Sequence, residues 1–487
     1  MNLNFGSILR IVGIVMTIIS IAMIPSLAVS LIYGETAVAE AFAITIFITI
    51  IVGAFFAKLT KYRLQDLKVR DGFFIVTTYW FISAFIGAIP FFISGAIPSP
   101  MDAFFESCSG FSTTGASILT DIESLPKGIL FWRSFTHWIG GIGILLFAIA
   151  VMPSLGISGQ NLEVSETPGP MLDKVTPKMT DTAKTLLTIY SILTVIEAVL
   201  LLLGGMNLYD ALIHTFGTVG TGGFSNYNAS VGYFDSTYIK VVITVFMIIC
   251  GINFNLFFLS VKKGPSVFWK DSEFKYYILI LLFAFAFIFG FLMISGEGYT
   301  AGDTATDVAF QTASILTTTG YATCDCEKWP QVCQVMILML MFIGGCSSST
   351  AGGIKVIRII VVLKLVARGF QTRLHPNAIR TPKVSGKALT SDSVSLIASH
   401  MFLYILLLFV GTFLVSFGNA DLTTCLTSVI TCLGNIGPGF GAVGPSDNFA
   451  FMTDFSKLVL SFLMIAGRLE LYTLFIFLTP QFWHPDR

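Results

Sequence analysis

The chain has 487 residues, of which 54% are hydrophobic and 11% charged; its mean hydropathy is +0.82 and its formal net charge is zero. A soluble protein carries roughly 25% charged residues, and a nucleic-acid binder shows a basic surplus, so the composition excludes an ordinary soluble domain and argues against nucleic acid as a partner. Apolar runs about as long as the ~20 residues of a spanning helix recur from end to end, continuous and not alternating, which reads as an all-α polytopic protein of the lipid bilayer and not a β-barrel.

The first run, "IVGIVMTIISIAMIPSLAVSLIY" at 11–33, is too long for a cleaved signal and lacks a clear small-residue cleavage site. Residues 8–33 and 38–57 are expected to form an N-terminal hairpin. Segment 58–70 carries five Lys/Arg and one Asp; short basic loops face the cytoplasm. The next helix, about 73–97, is followed by "MDAFFESCSGFSTTGAS" (101–117) and a helix near 128–152. A polar connector at 153–181 leads to a helix at 183–204, then "YDALIHTFGTVGTGGFS" (209–225) and a helix at 238–261. Lys262, Lys263, Lys270 and Lys275 mark another basic loop. A third pair, 276–295 and 331–365, flanks "TDVAFQTASILTTTGYA" (306–322). Segment 355–387 has eight Lys/Arg and no acid; the fourth pair, 391–416 and 455–479, flanks "TTCLTSVITCLGNIGPG" (423–439).

One unit therefore repeats four times: helix, short segment, turn, helix. Asp102, Asp210 and Asp307 each stand thirteen residues before a glycine, Gly115, Gly223 and Gly320; the fourth copy has Thr424 and Gly437. The expected domains are 1–71, 72–152, 153–262, 263–366 and 367–487, giving ten spanning helices, four re-entrant half-helices and both termini inside. About eleven residues at ~1.5 Å rise cross only half a bilayer. Irregular backbone at that depth is tolerated where it lines a watery cavity or is buried in protein. Four such turns are most economically placed around one axis, where carbonyl oxygens can replace the hydration shell of an alkali cation. The expected ion-binding backbone is Thr113, Thr114 and Gly115; Thr221, Gly222 and Gly223; Thr318, Thr319 and Gly320; and Asn435, Ile436 and Gly437. Half-helix C-terminal ends aimed inward favour a cation.

The second helices align on Gly141, Gly251, Gly345 and Gly467, where bending or close packing is expected. In the third, "GGCSSSTAGG" (344–353) places four glycines and four hydroxyl residues in ten, a run with little helix propensity. A kinked helix is the alternative there; a phosphate loop lacks the required GxxxxGK[ST] spacing. Arg468 follows Gly467 at membrane depth, where a cation costs roughly 2.5–3.5 kcal/mol and is usually functional. It would act as a positive barrier or enter a structural ion pair; Glu470, two residues on, lies on another helix face. Five cysteines lie in apolar segments as small hydrophobes, while Cys324, Cys326 and Cys333 are either inert or disulfide-forming.

The "TTGA", "TGGF", "TTGY" and "NIGPG" turns, the 344–353 run and Arg468 together resemble the Trk/Ktr/HKT superfamily of potassium uptake proteins, most closely its bacterial TrkH-type members. The likeness spans nearly the whole chain. It implies K⁺ uptake across a bacterial inner membrane through a filter of four loops. In that superfamily a glycine in all four loops goes with K⁺ selectivity. It further implies a gate beneath the filter formed by Gly345, Cys346, Ser347, Ser348, Ser349, Thr350, Ala351, Gly352 and Gly353 with Arg468. A homodimer and a cytosolic TrkA-type ring that senses ATP, ADP or NAD are implied too; no nucleotide fingerprint or bound cofactor is expected in this chain. Two other classes stay open: a secondary transporter coupling K⁺ to H⁺ or Na⁺, and an intramembrane enzyme, which would need a base near Ser347–Ser349.

Overall fold

The computed structural model describes residues 5–59, 69–146, 179–296, 300–375 and 383–483. Most of the basic loop 58–71, the connector at 153–178 and residues 376–382 of the basic segment lie outside the described residues. Among the described residues the fold is helical, with one small hairpin in which Lys383 pairs Ala388 and Val384 pairs Lys387.

The N-terminal hairpin consists of helices Phe5–Ala22 and Ile24–Ile32, turned at Met23 ahead of Pro25, against Thr36–Leu59. Gly13 and Gly53 let the two backbones touch: a Cβ on either would fall on the other's carbonyl oxygen. Small residues are what helices use to associate in lipid, where apolar burial gives no drive. Ser20 and Thr49 hydrogen-bond across the same seam.

Four repeats follow. Their first helices are Val69–Ile93, Met179–Leu203, Ser272–Ser295 and Ser391–Val415. Only a minority of residues in the last three is buried, and large apolar residues such as Leu203, Leu279, Phe283, Phe402 and Phe409 stand outward; that is the lipid face of a bilayer protein. The half-helices Pro100–Phe111, Leu208–Val219, Ala301–Leu316 and Leu422–Gly434 point inward; their first turns reach the surface and their C-terminal halves are buried, serines and threonines included. The hydropathy gradient is thus inverted: the greasiest helices are outermost and the most polar ones are central.

Among the described residues six helices are long and apolar enough to cross a membrane, and two further pairs are sharply bent. The second helices at 238–261 and 455–479, expected to run through, are broken. Thr237–Cys250 meets Phe254–Lys263 at 86°, where Asn253 starts a new helix by accepting from Asn255 N at 3.0 Å. Asp454–Arg468 meets Tyr472–Leu478 at 112°, where Glu470 and Leu471 adopt φ of 58° and 60°. The third second helix, Gln331–Ile343, stops at Gly344 and resumes as Val356–Leu374, leaving the 344–353 run non-helical.

Candidate functional site

Each half-helix ends in the same turn. Thr114, Gly222, Thr319 and Ile436 donate their N–H groups to Ser109, Gly217, Ser314 and Thr431 carbonyls at 2.8–2.9 Å. The preceding residues Thr113, Thr221, Thr318 and Asn435 adopt φ of 54–55°. This helix-closing motif normally takes glycine at its left-handed position. A β-branched threonine there is strained, and such strain persists only where surroundings enforce it. Gly115, Gly223, Gly320 and Gly437 follow with φ of 83°, 79°, 80° and 102°.

The four turns close a ring. A Cβ on Gly115 would strike the Gly222 carbonyl oxygen, one on Gly223 that of Thr319, one on Gly320 that of Ile436, and one on Gly437 would lie 2.8 Å from that of Thr114. Each glycine therefore abuts the middle carbonyl of the next loop, in the order 1–2–3–4–1. Asn435 Nδ2 reinforces the closing seam by donating to Thr114 Oγ1 at 2.9 Å and to Met464 O at 2.9 Å. All four glycines line one cavity of about 120 Å³, together with Arg133 and Asp447. The twelve residues expected to bind the ion are brought together.

The 344–353 run lies against the other side of the ring. Thr350 Oγ1 donates to the last carbonyl of half-helix 2, Val219 O, at 3.2 Å, and Gly352 N donates to Thr318 Oγ1 at 2.6 Å. A Cβ on Gly352 would come within 2.9 Å of Asn435. Cys346 N donates to Gly251 O at 2.9 Å, and Ser349 Oγ to Cys346 O at 2.6 Å. Ser348 has a φ of 52°, and its carbonyl accepts from Phe254 N at 3.1 Å. Lys355 caps the run through the Ala351 carbonyl.

Arg468 joins this run to the bundle. Its Nη1 donates to Thr350 O at 2.7 Å, and its Nη2 to Gly140 O at 2.8 Å and Gly141 O at 3.3 Å. Glu470 turns elsewhere, to Arg358 on the helix that follows the run; Arg358 also meets His400 Nε2 at 3.2 Å. The aligned glycines serve close approach. A Cβ on Gly467 would strike the Leu433 carbonyl, and one on Gly251 would sit 3.0 Å from Thr317.

Sequence reasoning missed several partners. Glu273 accepts from Ser347 N at 2.6 Å, Ser347 Oγ at 2.7 Å and Ile357 N at 3.2 Å, pinning both ends of the run. Asp102 pairs with Lys457 at 2.5 Å, and Asp307 with Lys240 at 3.8 Å. Glu106 pairs with Arg133 at 2.5 Å. The available signal was a charge standing alone in an apolar stretch, which must find a partner at membrane depth. All eight cysteines are free, Cys324, Cys326 and Cys333 included.

The profile of the TrkH family, described as a cation transport protein, matches residues 38–484. The chain is 40% identical to the Trk system potassium uptake protein TrkH of Vibrio parahaemolyticus, over 99% of this chain and all of that one. It is 38% identical to TrkH of Escherichia coli K12, with the same coverage, and 34% identical to E. coli TrkG over 97% of each chain. The crystal structure of the potassium transporter TrkH from V. parahaemolyticus superposes with a TM-score of 0.89 at 38% identity, covering 99% of this chain and all of that chain.

Proposed function

The chain belongs to the TrkH family of cation transport proteins, a multi-pass membrane family of transporters rather than enzymes, and from that premise we propose that it admits K⁺ through the ring of four loops. The observation that carries this reading is the closure of the ring, each glycine against the next loop's carbonyl oxygen. Carbonyls of Thr113–Gly115, Thr221–Gly223, Thr318–Gly320 and Asn435–Gly437 replace water around the dehydrated ion. The negative ends of four half-helices stabilise it there. Run 345–353 with Arg468 closes the inner side: its hydrogen bonds to Thr318, Val219 and Arg468 hold it across the path. The protein works as a homodimer in the inner membrane, with a cytosolic TrkA-type ring reading ATP, ADP or NAD on its behalf. Purified protein in vesicles, given a K⁺ gradient and no gradient of H⁺ or Na⁺, takes up K⁺ under this reading; uptake that requires a second gradient would overturn it.

A coupled mechanism is favoured by one specific feature. Glu197 lies fully buried in the first helix of repeat 2, with Thr218 of half-helix 2 as its hydroxyl neighbour. A buried carboxyl of this kind suits a proton carrier. If Glu197→Gln abolishes a dependence of K⁺ uptake on the pH gradient, coupling is the mechanism; if wild-type uptake ignores that gradient, it is not.

A further inference from the structure

We propose that Glu106 and Arg133 are positioning residues that lock loop 1 to loop 2 and thereby set the discrimination among monovalent cations, an inference that rests on the filter reading above. Glu106 stands nine residues before Gly115 and is wholly buried. Its carboxylate accepts from Ser117 Oγ at 2.9 Å and from Ile118 N at 2.9 Å, the second and third residues after that glycine. It thus braces the half-helix against the outgoing limb, across the turn that carries Thr113–Gly115.

The same brace recurs at the same height. His214, nine residues before Gly223, meets Ser225 Oγ at 3.0 Å, and Gln311, nine before Gly320, donates to Cys324 O at 3.1 Å. In loop 4 the position slips by one: Thr427, ten residues before Gly437, accepts from Phe440 N at 3.0 Å and donates to Phe440 O at 2.9 Å. The recurrence makes the brace a feature of the repeat. The first brace differs in being charged and in reaching a neighbouring loop. Arg133 donates from Nε to Glu106 at 2.5 Å and from Nη1 to Ser225 O at 2.9 Å, and its guanidinium lies 3.5 Å over the Phe224 ring. Ser225 and Phe224 are the residues that follow Gly223.

Ion pairs also cross from repeat 4 to repeat 1, Lys457 with Asp102 at 2.5 Å, and from repeat 2 to repeat 3, Lys240 with Asp307 at 3.8 Å, but they lie nearer the starts of the half-helices. Tyr321 donates to Phe224 O at 3.3 Å between loops 2 and 3, Gly441 N to Glu327 at 2.6 Å between 3 and 4, and Phe449 N to Ser117 O at 2.8 Å between 4 and 1. Arg133 also lines the cavity above the ring. Paired with Glu106 it presents that approach with a neutral unit, and its rigid planar fork fixes the directions to Glu106 and Ser225, which the point charge of a lysine on its flexible stem does not. Ion preference depends on the placement and field of a few carbonyls, so loosening the one seam where Gly115 meets Gly222 alters preference before it alters the fold.

The test compares K⁺ with Na⁺ permeation in vesicles for Arg133→Gln, Glu106→Gln, the double variant and Arg133→Lys, with Gly115→Ser as reference and melting temperature in detergent as the stability readout. We expect K⁺ over Na⁺ preference to fall roughly tenfold in the Gln variants, as for groups in one buried network. Arg133→Lys, which keeps the charge but lacks the planar fork, should lose part of it. Should a single Gln variant not fold, the double variant strands no charge and decides the matter with Arg133→Lys. Folded variants with wild-type preference, beside a Gly115→Ser that has lost it, overturn this inference alone. An unchanged Gly115→Ser overturns the filter reading on which it rests.

Discussion

Replacing Arg468 with alanine removes three charge-assisted hydrogen bonds, to Thr350 O at 2.7 Å, to Gly140 O at 2.8 Å and to Gly141 O at 3.3 Å. The Thr350 bond is the one that fixes the 344–353 run. A hydrogen bond to a charged group contributes about 1.5–3 kcal/mol net. If the run closes the path, its closed position loses that much relative to an open one, a shift of roughly 10- to 150-fold in the closed-to-open ratio. The guanidinium's charge works in the same direction. At an effective dielectric of about 20 it repels a cation 4 Å away by about 4 kcal/mol, an upper-end figure. Rb⁺ uptake into vesicles, measured with the melting temperature in detergent, therefore rises in Arg468→Ala at near-normal stability, and rises less in Arg468→Lys. A destabilised protein whose uptake per folded molecule is unaltered or lower would refute this reasoning and leave Arg468 a packing element.

Three further outcomes follow from the geometry. Gly467→Ala drives a Cβ onto the Leu433 carbonyl and to 3.0 Å from Asn435 Oδ1; overpacking of about 1–3 kcal/mol should lower the melting temperature, and an unchanged value would show that the last half-helix is not seated there. Glu273→Gln turns an acceptor of three hydrogen bonds toward the Ser347 N–H with an amide. Freed of that anchor, at about 1–3 kcal/mol, the run should leak, raising basal Rb⁺ uptake; equal uptake would detach Glu273 from gating. Asn435→Asp loses both donors, to Thr114 Oγ1 and Met464 O, and should cut K⁺ uptake sharply, whereas Asn435→Thr, the residue of the other three loops, should retain it; the idea fails if the two behave alike.

The repeated unit and its four turns were legible because they are local. The thirteen-residue offset, the glycines and the half-helix lengths all lie within one stretch of chain. The equivalence weakens only at Asp307, which sits well inside its half-helix because Ala301–Leu316 starts earlier than its counterparts. The 344–353 run was legible too, since four glycines cannot continue a helix cheaply. What stayed hidden was long-range. Glu273 and Ser347 are 74 residues apart, and Arg358 and Glu470 are 112 apart; no local period links them. The bends were half-visible: glycine in the second helices suggested flexing, but the breaks fall just after it, at Asn253 and at Glu470–Leu471. Arg468 was expected to face the ion path or to pair with a carboxylate; its hydrogen bonds go to three carbonyl oxygens, partners that sequence cannot name.

The central claim is that four loops make one ring, and the ring offers four equivalent places to break it. Gly115→Ser, Gly223→Ser, Gly320→Ser and Gly437→Ser each press a Cβ toward the neighbouring loop's carbonyl, from a φ of 79–102° that serine adopts only under strain. The decisive measurement is the K⁺ to Na⁺ permeability ratio of all four folded variants in vesicles under identical bi-ionic gradients. The account predicts that every one of them falls below wild type. A single well-folded variant with the wild-type ratio would remove its loop from the ring and contradict the account.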